Sequence, residues 1–144
     1  MNNNNNQMKI AVRYFSKTGH MQKMATVVSE VTGVKAETVD IPVTEEVDIL
    51  FLGSAVYMAG IDDKVKGFIS TLDGKAVKNI VVFSSAAILT SSYAQIKGLL
   101  EKKNIPLDER EFHCRGQFAL LHRGRPNQND LNELKSFVKE IIAQ

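Results

Sequence analysis

The chain reads as an α/β domain, a five-stranded parallel sheet with helices on both faces, and three observations lead there. Short apolar runs rich in β-branched residues alternate with stretches of helical period. The run at 48–53, Asp-Ile-Leu-Phe-Leu-Gly, is nearly unbroken apolar sequence, as a strand covered on both faces must be. A length of 144 residues with 44% apolar content suffices for one core without disulfides or metals.

The elements follow in order. Residues 10–15 predict the first strand. Met21, Met24, Ala25, Val28 and Val31 recur at helical spacing, and Thr32-Gly33 supplies the stop. A second strand is expected over 37–41, ended by Pro42, and the third over 48–53. Ile61, Val65, Phe68, Ile69 and Leu72 form the next helical stripe, with Asp62 and Asp63 at the positive end of its dipole. The fourth strand is read at 79–84 and a helix at 92–103, with Tyr93, Ile96, Leu99 and Leu100 inward. Phe112, Cys114 and Phe118 alternate with polar residues, which predicts a fifth strand at the sheet's edge. The last helix carries Leu131, Leu134, Val138, Ile141 and Ile142 after the capping candidates Asn127 and Asn129. Right-handed crossovers make this a doubly wound three-layer sandwich. In the strand order 2-1-3-4-5 the switch point lies between the first and third strands, which directs attention to the loops at 16–21, 53–60 and 84–91.

Residues 9–144 are read as one domain. Residues 1–8, mostly an asparagine tract, are read as a disordered tail, with Met8 an alternative initiator. No apolar run has the length of a membrane span, and no signal sequence opens the chain, so a cytoplasmic protein is expected. The single Cys114 suits that reducing compartment and reads as a small core residue. With 18 basic against 16 acidic residues, nothing in the charge balance calls for nucleic acid. His113, Arg115, His122, Arg123 and Arg125 nonetheless form a local basic segment, a solvated patch or a surface for an acidic or phosphorylated partner.

The loop after the first strand carries the chemistry. A helix that starts near Gly19 leaves backbone N–H groups pointing into 16–21, and its dipole favours an anion there. Ser16 and Thr18 add hydroxyls, Gly19 permits close approach, and Lys17 or His20 offsets part of a phosphate's charge of about −2. Simple capping by Ser16 and Thr18 is the competing explanation. Neither G-x-x-x-x-G-K-[ST] nor G-x-G-x-x-G occurs, which argues against a nucleoside triphosphatase or a classical dinucleotide fold. The first and third strands end in Phe15-Ser16 and Leu52-Gly53-Ser54, without the acids of a phosphoryl-accepting receiver.

Ser16-Lys-Thr-Gly-His-Met21 resembles the phosphate loop of flavodoxins, [ST]-x-T-G-x-[ST], and Gly53-Ser-Ala-Val-Tyr-Met-Ala-Gly60 resembles their second FMN loop. The strand order above is the one for which flavodoxins are the standard case. The resemblance implies FMN as cofactor. It implies that Ser16, Lys17, Thr18, Gly19, His20 and Met21 surround the phosphate, that Tyr57 lies against the isoalloxazine with Ala55, Val56 and Met58 beside it, and that Ser84, Ser85, Ala86 and Ala87 form the loop on the ring's other side. Three departures stand out: Met21 replaces the last hydroxyl, the 84–89 segment has no aromatic, and the acidic excess of many flavodoxins is missing. The function implied is electron transfer between redox partner proteins, by a monomer or weak dimer. An FMN-dependent NAD(P)H or quinone oxidoreductase, protoporphyrinogen-oxidase-like, is the alternative, and a flavin-free binding module the third reading.

Overall fold

The computed structural model describes residues 8–17, 19–56, 60–86, 91–116 and 122–143. The elements alternate as β1 (Ile10–Phe15), α1 (His20–Thr32), β2 (Ala36–Thr38), β3 (Ile49–Val56), α2 (Asp63–Thr71), β4 (Ile80–Ala86), α3 (Tyr93–Glu101), β5 (Phe112–Arg115) and α4 (Gln128–Ile142). All pairings are parallel, and the strand order is β2-β1-β3-β4-β5.

Alternation along the central strands divides the core in two. Leu50, Leu52, Ile80 and Val82 face α2 and α3, meeting Val65, Phe68, Ile69, Ile96 and Leu100. Phe51, Val81, Phe83 and Val12 face the other way, onto Met21, Met24, Ala25 and Val28 of α1 and Leu134, Val138 and Ile141 of α4. Both faces of β3 and β4 are therefore buried, which is why their sequences lack a polar side. Met8 packs against the α1/α4 cluster.

Three strand boundaries differ from the sequence reading. β2 stops at Thr38 because the chain turns there: the Ile41 amide donates back to the Thr38 carbonyl at 3.1 Å. β3 and β4 run further than expected, to Val56 and Ala86. Their small residues give little strand signal, but Ser54, Ala55 and Val56 pair in register with Ser84, Ser85 and Ala86. Ala55, Val56, Ser85 and Ala86 thus belong to strands rather than to the loops assigned them, and Ser84, read both as the end of the fourth strand and as the start of the next loop, lies within β4. Phe118 lies outside the described residues. A buried Arg13 in β1 ties the sheet to the turn after β2, its Nε and Nη2 donating to the carbonyls of Ile41 (2.8 Å) and Pro42 (3.1 Å), with Glu37 3.7 Å away.

Candidate functional site

Register sets the end of β1 level with positions two residues short of the carboxyl ends of β3, β4 and β5. Phe15 stands opposite Ser54, Ser54 opposite Ser84, and Ser84 opposite His113. Beyond that row the chain turns out of β1 into the segment 16–19, which therefore sits beside the switch between β1 and β3.

Helix α1 begins differently from α2 and α4. Its N-cap is Gly19 at φ +91°, a left-handed backbone that glycine adopts freely, and its first turn has no acid. The first helical bond is Lys23 N–H to the Gly19 carbonyl, so the amides of Met21 and Gln22 lack intrahelical partners. The Gly19 amide donates to Ser16 Oγ at 2.9 Å, which curls the loop and places the Ser16 hydroxyl over the helix start. Lys17, exposed, reaches Asp62, with Nζ 3.2 Å from Oδ2. Hydroxyl, amides, lysine and a glycine in an open turn form a donor set suited to a phosphate monoester, and nothing acidic in the first turn opposes it. The residues present fit an FMN phosphate.

Met21 has a different role from its neighbours. Its side chain is fully buried, its sulfur accepts from Ser85 Oγ at 3.5 Å, and its methyl lies 3.1 Å from where a Cβ on Gly53 would stand. What Met21 offers a ligand is its amide. Gly53 itself is required by Phe83, whose ring would sit 2.5 Å from that Cβ. His20 opens the helix and is half-buried.

On the ring side, Ser84 and Ser85 are buried, and Ser84 Oγ accepts the Ser92 amide at 3.4 Å. Val56 and Ala86 are also buried, and Ala55 is half-buried. Ser92, at the N-cap of α3, keeps a fully buried hydroxyl oxygen with no hydrogen-bond partner among the described residues. An orphaned polar atom just past the 87–90 segment is the kind of group a ligand or water satisfies. Gln95 fixes the far end of the β3–α2 connection, its Oε1 accepting the Ile61 amide at 2.9 Å, and the adjoining Gly60 takes φ +102°, a backbone that favours glycine. Thr18, Tyr57, Met58 and Ala87 lie outside the described residues.

At the β5 edge the basic segment is partly spent internally. Arg125 forks onto Asp130, Nε to Oδ2 at 2.6 Å and Nη2 to Oδ1 at 2.7 Å, while Asp130 and Asn127 cap α4 reciprocally. Burial would raise the Asp130 carboxyl, but the Arg125 fork and the Asn127 amide hold it below its ordinary value. Arg123 is exposed. Burial, reinforced by Asp130, pushes the Cys114 thiol up to about 12, so it stays protonated and unreactive at neutral pH. That agrees with a packing role. Sequence reasoning missed Asp62 as the partner of Lys17, and also Gln95 and Ser92. Asp62 was legible only as a helix-start acid, and the other two carry no sequence signal for their contacts.

No family model and no curated protein sequence matches the chain. Solved structures do. A flavodoxin from the domain Archaea superposes with a TM-score of 0.75 at 16% identity, over 94% of this chain and 97% of that one. Oxidised flavodoxin 2 from Bacillus cereus gives 0.67 at 15%, over 90% and 94%. Rubredoxin oxygen:oxidoreductase from Desulfovibrio gigas gives 0.74 at 17%, over 94% of this chain but 35% of that larger one. No described helix is long and apolar enough to cross a membrane. Strand order, helix placement and end-to-end superposition together establish that the chain has the flavodoxin fold.

Proposed function

We propose that the chain is a cytoplasmic FMN-binding electron-transfer protein that carries electrons between partner proteins. The observation that carries this reading is the start of α1: a left-handed glycine, no acid in the first turn, and the Ser16 hydroxyl folded onto the Gly19 amide, with Lys17 in the same loop. In this reading Ser16, Lys17, Thr18, Gly19, His20 and the Met21 amide hold the phosphate. Tyr57 and Met58 flank the ring beside Ala55 and Val56, and Ser84 to Ala87 form the opposite wall, with backbone rather than buried side chains presented from the strand residues. The flavin supplies the redox chemistry when bound, and the chain's task is to grip, orient and partly shield it. A carrier needs no acid/base constellation. Arg125, one of three arginines available to hold a phosphorylated donor, is engaged by Asp130 instead, which weakens the oxidoreductase alternative.

The test is reconstitution of apoprotein with FMN, followed by turnover assays. The expected result is one flavin per chain, reduction by a one-electron donor and reoxidation by an acceptor protein, with no steady-state oxidation of NAD(P)H. Catalytic NAD(P)H or quinone turnover by the chain alone would replace the carrier with an enzyme, and absence of flavin binding would leave a flavin-free module.

A further inference from the structure

Asp62 does two things at once. Its Oδ1 accepts the Lys64 amide at 2.9 Å and so caps α2, while its Oδ2 faces Lys17 Nζ at 3.2 Å, across the connection from β1. The carboxylate is well covered, 19% exposed, whereas Lys17 is 57% exposed on a long flexible stem. The Lys64 amide, and after it the Lys17 ammonium, hold the Asp62 carboxyl below its ordinary value against the opposing effect of burial, so it is charged at neutral pH. Asp63 follows it at the exposed first turn of α2. A lysine of the loop before α1 is thus paired with an acid rooted in another element.

We propose that Asp62 is a positioning residue that sets the loop's affinity for phosphate esters, by competing with the bound anion for Lys17. The inference rests on the flavin reading above. A phosphate at the amides of α1 and the Asp62 carboxylate are both acceptors for one ammonium, and the carboxylate adds a like charge near a dianion. Neutralising it while keeping its cap should release Lys17 toward the ligand. Asparagine and serine both cap helices as well as aspartate does, so the start of α2 survives the change.

The experiment titrates apoprotein with FMN and, in parallel, with riboflavin, which lacks the phosphate. For Asp62→Asn, and likewise Asp62→Ser, FMN affinity should rise about three- to fivefold, with a steeper salt dependence, while riboflavin affinity stays unchanged. In a Lys17→Met background the same substitution should give less than half that gain. Unchanged or weaker FMN binding in both variants, an equal shift for riboflavin, or a gain indifferent to Lys17 would each overturn the proposal. A wild-type chain that binds neither ligand would overturn the flavin reading itself, an outcome distinct from failure of the Asp62 effect alone.

Discussion

Two helix starts on the same sheet are built in opposite ways. At α4, Asn127 and Asp130 cap each other's backbone amides and Arg125 closes the carboxylate from outside, so the helix end is satisfied by the chain itself. At α1 the cap is a left-handed glycine, the first turn carries no acid, the Ser16 hydroxyl oxygen accepts the Gly19 amide, and Lys17 of the preceding loop pairs with Asp62. A helix end sealed by its own carboxylate gains stability and repels anions. One left without an acid gives up that stabilisation and keeps its partial positive charge for something external. The two starts differ in backbone as well as in side chains, left-handed at Gly19 and extended at Asn127.

The contrast can be broken at its sealed side first. Asp130→Ala removes the acceptor of the Asn127 amide and leaves the Arg125 guanidinium without its fork, and should lower unfolding stability by about 2–3 kcal/mol in denaturant titration while leaving FMN affinity intact. A comparable loss of FMN affinity would show that the two ends are not independent.

Acid should separate the regions next. The Arg110 side chain, then its amide and Asn79, hold the Asp108 carboxyl at about 2 against the opposing effect of burial, down from its ordinary 3.8. Because this pKa is depressed by folding, the stabilisation is fully present above the ordinary value and is lost as pH falls through about 2. It amounts to on the order of 1–2 kcal/mol. Between pH 4 and 2, hydrogen exchange should therefore rise first around α3 and β5, and Asp108→Asn should abolish that pH-dependent part. Exchange that rises first in α1 would contradict the placement of the acid-sensitive contacts.

Gly19→Ala forces a side chain into φ +91° and should cost about 1 kcal/mol of stability. The smallest effect is the most pointed. Gln22→Glu puts an acid in the first turn of α1, as α4 already has, and should slightly stabilise the free protein while weakening FMN binding about two- to fivefold. Effects of the same sign on both would remove the distinction between the two helix starts.

The same contrast shows what the sequence disclosed. Helical stripes such as Met21, Met24, Ala25 and Val28, and the apolar 48–53 run, announced the layers, because burial on a face repeats at short spacing. The last residues of β3 and β4 were not legible: Ser54, Ala55 and Ser85 carry little strand signal and are held by pairing across the two strands. The polar loop from Ser16 to Met21 could be singled out because its residues are consecutive. The partner of Lys17 could not, since only the fold brings Asp62 to it. Met21 was readable as a helix residue, but its contact with Ser85 beneath Gly53 depends on the register of two strands.

A phosphate receptor at the start of α1 is tested most directly by calorimetric titration of apoprotein with FMN against riboflavin. It predicts one FMN per chain, bound at least about tenfold more tightly than riboflavin, with the advantage reduced in Ser16→Ala. Equal affinity for the two, or an advantage untouched by Ser16→Ala, would contradict it.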